Sequence, residues 1–206
     1  MTNDDCRGRL AIALDVDDLV LALRMARRLR PWFSFAKVGL ELFAAAGPEV
    51  VSALTIEGYR VFLDLKLHDI PTTVGRAAKV IGGLGATYTT VHAAGGEEMV
   101  RAAVEGMAEG AAAAGAGGPS QGVLAVTVLT SELEAPGPIL EKRAALAASA
   151  GCRGVVCAAR DLRFVREAAP GLLAVVPGIR PSGTSADDQA RRRLQPLPSR
   201  RARICS

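Results

Sequence analysis

Two lysines lie in segments of the chain that are otherwise apolar. Only four of the 206 residues are lysine, yet Lys37 and Lys66 both lie in runs typical of buried β-strands. Asp64 precedes Lys66 by two residues, so both side chains project from the same side of a strand. A buried lysine is costly unless an acid is paired with it. Such a pair can stabilise negative charge and supply a proton, or it can be a purely structural ion pair.

Other polar residues lie where predicted strands end. Asp15 closes the first apolar run, and Asp69 follows Lys66 by three residues. In a parallel α/β barrel, the carboxyl ends of the strands form the active site. His68 is a candidate general base, a supporting residue or a helix cap. His92 ends another predicted strand and is expected to be packed and hydrogen-bonded.

The elements that must position these residues alternate along the chain. Short apolar runs are followed by stretches with helical periodicity, and Asp18 is a predicted helix N-cap. Alternating strands and helices predict a parallel sheet, and the absence of a composition break favours one α/β domain, a TIM (β/α)8-type barrel, over residues 1–189. The seven predicted strands begin near Leu10, Ser34, Arg60, Tyr88, Val123, Gly154 and Leu173.

Residues 190–206 differ from the rest of the chain. They hold six of the 25 basic residues and none of the 21 acidic ones, so the remainder has two more acidic than basic residues. The segment is rich in arginine and contains two prolines, which predicts that the barrel lacks its eighth strand. We interpret it as an atypical tail, produced by a shifted reading frame or a truncated gene, which resequencing of the locus would test.

Composition excludes several classes of protein. Half of the residues are hydrophobic and the net charge is only +4, which argues against disorder. No stretch of about 20 residues is apolar throughout, so no membrane span is expected. The polar N-terminus is not a secretory signal, which predicts a cytoplasmic protein. No two cysteines form a C-x-x-C pair, so no zinc site is expected. The basic tail lacks interleaved aromatic residues, so nucleic-acid binding is not expected. The four cysteines are Cys6, Cys152, Cys157 and Cys205.

The segment DLKLHDIPTTV, which begins at Asp64, resembles the D-x-K-x-x-D signature of the orotidine 5'-phosphate decarboxylase family. The resemblance covers residues 8 to 190 and implies a homodimeric barrel without metal or organic cofactor. The implied enzyme is a carboxy-lyase that converts orotidine 5'-phosphate to UMP in pyrimidine biosynthesis. Further matching segments are ALD at 13–15, KVG at 37–39, TVHA at 90–93, VTVLTS at 126–131, PGIRP at 177–181 and DDQ at 187–189.

The resemblance also implies a role for each matching residue. Lys66 would donate the proton to carbon six of the pyrimidine, within a charge array that it forms with Lys37, Asp64 and the partner-derived Asp69. The implied substrate-binding residues are Asp15 and Lys37 at the ribose, Ile70, Thr73 across the dimer interface, Thr130 at the pyrimidine edge, and Arg180 and Gln189 at the phosphate.

The chain departs from the family after Gln189. The family continues into an eighth strand that ends in Gly-Arg, whose arginine binds the phosphate, so weakened or absent activity is expected here. Two alternatives stay open. One is a magnesium-dependent sugar-phosphate decarboxylase or lyase of the same superfamily, such as a keto-gulonate phosphate decarboxylase. The other is a non-catalytic remnant.

Overall fold

Eight parallel strands form a closed barrel in the computed structural model, in the order β1 to β8. The structure describes residues 6–115, 121–132 and 134–179, and the backbone of 202–205. The seven strands predicted from the sequence are all present, and the prediction of an α/β barrel is confirmed. The strands are β1 (Leu10–Ala13), β2 (Phe35–Val38), β3 (Arg60–Leu67), β4 (Tyr88–His92), β5 (Gly122–Val126), β6 (Gly154–Val156), β7 (Leu173–Val176) and β8 (Ala202–Cys205).

Helices connect the strands, as the alternating pattern predicts. The N-cap at Asp18 is confirmed, since its carboxylate accepts a hydrogen bond of 2.6 Å from the Leu21 N–H. The described helices are α1 (Leu19–Leu29), α2 (Leu40–Ala46), α3 (Glu49–Ile56), α4 (Pro71–Gly83), α5 (Glu97–Ala113), α6 (Gly137–Ser149) and α7 (Leu162–Ala168). Within the described ranges, no helix has the length and apolarity to cross a membrane.

Apolar side chains fill both the barrel and the layer around it. Inside the barrel, the Phe35 and Tyr88 rings stack with centroids 5.4 Å apart, and Phe62 meets Tyr88 edge-on. The larger cluster lies between the sheet and the helices and includes Cys157, which is fully buried as a small core residue. This packing fixes the strands whose carboxyl ends carry the charged residues.

The eighth strand corrects one expectation from the sequence. Residues 202–205 pair in parallel with β7 on one side and with β1 on the other, so the edges of those strands are paired. The segment follows Pro198, the last proline of the tail, so the tail's prolines do not prevent these four residues from forming a strand. Four residues suffice because the neighbouring strands present backbone N–H and C=O groups that need partners. The remaining tail residues, including Arg191 and Arg200, lie outside the described part of the chain.

Helices α4 and α5 cross at very close range. A Cβ atom added to Gly110 would overlap the carbonyl oxygen of Lys79 and lie 2.9 Å from the Gly83 nitrogen. At Gly106, an added Cβ would overlap the carbonyl oxygen of Gly75. The two backbones are therefore in direct contact, which holds α4, the helix that follows Asp69, against α5.

Candidate active site

Strand β3 is interrupted where it carries its charged residues. Its register with β4 shifts between Leu63 and Leu67. Within that interval Lys66 has a φ of +52°, the only positive value at a non-glycine residue in the described part of the chain. Residues with a Cβ rarely adopt this left-handed conformation, and it is enriched at functional sites. The register shift and the left-handed backbone therefore make Lys66 a candidate functional residue.

Asp64 and Lys66 form the ion pair that the sequence predicts. The Lys66 Nζ donates to Asp64 Oδ2 at 2.7 Å. The side chain of Asp64 is 14% exposed and that of Lys66 is 31% exposed, so the pair is shielded but reachable from the barrel mouth. A charge pair in such a partly desolvated site interacts more strongly than one on the surface.

Thr90 contacts both members of this pair, although no pattern in the sequence predicted a role for it. The residue lies fully buried on β4. Its Oγ1 accepts a hydrogen bond from the Lys66 backbone N–H at 2.8 Å and donates to Asp64 Oδ1 at 3.0 Å. The available signal was a hydroxyl residue in a strand that is otherwise predicted to be buried.

A second ion pair lies on the neighbouring strands. The Lys37 Nζ donates to Asp15 Oδ1 at 2.9 Å. Lys37 is largely buried, whereas the Asp15 side chain is 63% exposed at the barrel mouth. Gly39, which caps α2, lies beside both groups, so no side chain covers them from that position. The structure brings Lys37 together with Asp15, and Lys66 together with Asp64, as two distinct pairs in the described chain.

The predicted site residues around the start of α4 and after β5 make no hydrogen bond or ion pair with these two pairs in the described part of the chain. Asp69 is exposed, and its Oδ1 accepts a hydrogen bond of 2.6 Å from the Ile70 N–H. Ile70 is 66% exposed directly before α4, and Thr73 is exposed in its first turn. Thr130 is partly buried in the segment after β5. Arg180 and Gln189 lie outside the described residues.

The two histidines of the chain meet at the strand ends. The rings of His68 and His92 lie 5.4 Å apart at an angle of 38°. His92 is partly buried, while His68 is exposed and does not cap α4, whose N-cap is Ile70. Burial lowers the pKa of His92 below its ordinary value, and the charges of His68, Lys66 and Arg143 lower it further against the opposing effect of Asp64.

This lowered pKa makes stability depend on pH below neutrality. Above the unfolded pKa of about 6.5, His92 is neutral in both states and contributes nothing. Below it, the unfolded chain binds the proton more readily, so the free energy of unfolding falls as the pH falls. We expect His92→Gln to lose less stability than the parent between pH 7.5 and 5.5, measured by urea unfolding. An equal loss of unfolding free energy in both proteins would contradict a lowered pKa of His92 as its cause.

The described residues contain no cluster of three or more His, Cys, Asp or Glu side chains arranged to hold a metal ion. The two ion pairs at the strand ends each join one lysine to one carboxylate. Fixed ammonium groups of this kind can stabilise negative charge that develops on a bound molecule.

Comparison with known proteins identifies the family. A model of the Orotidine 5'-phosphate decarboxylase / HUMPS family matches residues 8–204. The chain belongs to this family. The orotidine 5'-phosphate decarboxylase of Anaeromyxobacter sp. (strain K) is 47% identical over 194 residues, which cover 89% of this chain and 81% of that one. The enzyme of the same name from Thermobifida fusca is 44% identical over 196 residues, covering 88% and 78%.

Solved structures of the decarboxylase family agree with the barrel. The crystal structure of orotidine 5'-phosphate decarboxylase from Lactobacillus acidophilus has a TM-score of 0.72 and 37% identity, covering 85% of this chain and 83% of that one. The family's enzyme from Pyrococcus horikoshii has a TM-score of 0.69 at 25% identity, covering 84% and 80%. The chain therefore shares both sequence and fold with decarboxylases across most of its length.

Proposed function

We propose that this protein decarboxylates orotidine 5'-phosphate to UMP in pyrimidine biosynthesis. The observation that carries the proposal is the Lys66 ammonium held 2.7 Å from the Asp64 carboxylate near the carboxyl end of β3. The names of the relatives support the same reaction. The substrate is thus an anionic nucleotide, and the reaction needs a group that stabilises negative charge on the pyrimidine.

The chemistry assigns distinct tasks to the two residues of this pair. The bond between carbon six and the carboxylate breaks, carbon dioxide leaves, and the electron pair stays on carbon six. The Lys66 ammonium stabilises that charge and then transfers its proton to carbon six. Asp64 orients the ammonium and places negative charge beside the departing carboxylate.

The other predicted residues bind the nucleotide in this proposal. Asp15 and Lys37 hold the ribose hydroxyls, and Thr130 contacts the pyrimidine edge. Arg180 and Gln189 bind the phosphate. Contacts with the ribose and phosphate supply binding energy remote from the reacting carbon, which stabilises the reactive complex.

We further propose that the active form is a cytoplasmic homodimer. Asp69 and Ile70 lie exposed just before α4 and Thr73 in its first turn, and among the described residues none of them pairs with Lys66 or Asp64. Exposed, they are free to reach the site of a second copy, where Asp69 would extend the charge array and Ile70 and Thr73 would contact substrate. The large exposed fraction of the apolar Ile70 side chain supports this use.

A turnover assay tests the proposed function directly. The purified chain is incubated with orotidine 5'-phosphate, with and without EDTA, and UMP is quantified by chromatography. We expect UMP in both cases, at a kcat/KM below that of the Anaeromyxobacter relative, because β8 lacks the Gly-Arg ending. Absence of UMP, or magnesium-dependent turnover of keto-gulonate phosphate instead, would overturn the proposal.

Mixing two inactive variants tests the shared site. In a heterodimer of Lys66→Ala and Asp69→Ala chains, one site has both defects and the other has neither. Random exchange at equal amounts is expected to restore about one quarter of the parental activity, since half of the dimers are mixed and each holds one intact site. The control mixes each variant with itself. No recovery after demonstrated subunit exchange would contradict a site built from two chains.

A further inference from the structure

Thr90 connects both members of the proposed catalytic pair through one hydroxyl group. Its Oγ1 accepts a hydrogen bond from the Lys66 backbone N–H at 2.8 Å and donates a hydrogen bond to Asp64 Oδ1 at 3.0 Å. Thr90 is fully buried, so water does not compete for these bonds. A hydroxyl can both donate and accept, and here it does each toward one member of the pair.

The backbone at Lys66 needs such a partner. Its left-handed φ of +52° falls within the interruption of the β3–β4 register, where the regular ladder does not constrain the chain. A residue with a Cβ keeps this conformation only where its surroundings hold it. The hydrogen bond from the Lys66 N–H to Thr90 is a contact of this kind.

The same hydroxyl also orients the Asp64 carboxylate. Because Oδ1 of Asp64 is bonded to Thr90, the carboxylate presents Oδ2 to the Lys66 ammonium at 2.7 Å. One group on β4 therefore orients the carboxylate and the backbone that carries the ammonium.

We propose that Thr90 is a positioning residue of the decarboxylation site, one that holds the Lys66 ammonium in its reactive place without touching the substrate. The inference rests on the proposed function, in which Lys66 stabilises and protonates carbon six. Since small displacements of a reacting group can cost roughly 100-fold in rate, loss of the hydroxyl acts on the chemical step.

Thr89 provides a matched control on the same strand. It is also fully buried, and its Oγ1 has no hydrogen-bond partner among the described residues. Thr89→Val and Thr90→Val therefore make the same chemical change at adjacent buried positions. Only the second removes a hydroxyl that contacts Lys66 and Asp64.

Steady-state kinetics separate positioning from general damage. We expect Thr90→Val to lower kcat for orotidine 5'-phosphate by roughly 10- to 100-fold. The KM and the Kd for UMP should stay close to the parental values. Thr90→Ser should keep most of the activity, and Thr89→Val should resemble the parent. An equal loss in Thr89→Val and Thr90→Val, an equal loss in Thr90→Ser, or a loss confined to KM would overturn the inference.

Two further measurements cover the cases in which this comparison fails. If Thr90→Val does not fold, Thr90→Ala is compared with Thr90→Ser, and the serine variant should be at least about 10-fold faster. Crystal structures test the positioning even if the parent does not decarboxylate the nucleotide, which would overturn only the proposed function. Thr90→Val should lose the left-handed Lys66 and its contact with Asp64, while Thr90→Ser keeps both; an unchanged Thr90→Val site would overturn the inference.

Discussion

Lys66→Ala is expected to lower kcat for orotidine 5'-phosphate decarboxylation by at least about a thousandfold. One charge pair at ~4 Å is worth about 4 kcal/mol at an effective dielectric of ~20, and loss of a general acid costs a further factor of roughly 100 to 10,000. Both contributions come from the same ammonium in the proposed reaction. The rate is measured as UMP formation, at an enzyme concentration high enough for the UMP formed by the slow variant to exceed the detection limit.

Two further variants test whether the loss of kcat is specific to position 66 and whether it requires an ammonium group there. Lys142→Ala removes an exposed lysine on α6 and should leave kcat unchanged. Lys66→Arg keeps the positive charge, but a guanidinium gives up its proton far less readily than an ammonium. We therefore expect the arginine variant to remain severely impaired. A Lys66→Ala protein with near-parental kcat would exclude Lys66 as the proton donor.

Gly110→Ala is expected to cost about 3 kcal/mol or more in the free energy of unfolding, because the added methyl group overlaps the facing backbone. The Cβ would meet the Lys79 carbonyl group, with 2.8 Å to its carbon, and the Gly83 nitrogen at 2.9 Å. A backbone cannot move aside as a flexible side chain can, so α4 and α5 must separate. Urea unfolding followed by circular dichroism measures the loss.

Gly83→Ala provides the control in the same pair of helices. Its added Cβ would lie 3.8 Å from the Gly110 carbonyl oxygen, which is ordinary van der Waals contact. Alanine is favoured over glycine in a helix by roughly 0.5–1 kcal/mol, so this variant should be as stable as the parent or slightly more stable. Equal stability of the Gly83 and Gly110 variants would show that the close crossing does not constrain the fold.

Several features of the fold and site followed directly from residue types and spacing. The seven apolar runs became strands because a parallel sheet covered on both faces requires nearly continuous apolar segments. The Asp64–Lys66 pair formed because a buried lysine needs a counter-charge. Asp18 capped α1 because it precedes the first helical turn and its carboxylate reaches a free N–H.

Other features depend on contacts that no local pattern encodes. The left-handed Lys66 and its hydrogen bond to Thr90 join residues 24 positions apart, so the bulge exists only once β3 and β4 are side by side. The strand at residues 202–205 likewise depends on its neighbours, because a four-residue segment has little strand propensity of its own. In both cases tertiary pairing decides the local conformation.

The pairing of β8 with β1 has a consequence for the order of folding. These two strands come from opposite ends of the chain, whereas every other neighbouring pair in the barrel is consecutive in sequence. Contacts of such high sequence separation form slowly, because the chain entropy is lost before the contact contributes. The first seven strands can therefore assemble as an open, curved sheet, and closure of the barrel becomes a late event in folding. Until then, β1 and β7 expose backbone edges on which a chaperone or a second nascent chain can act.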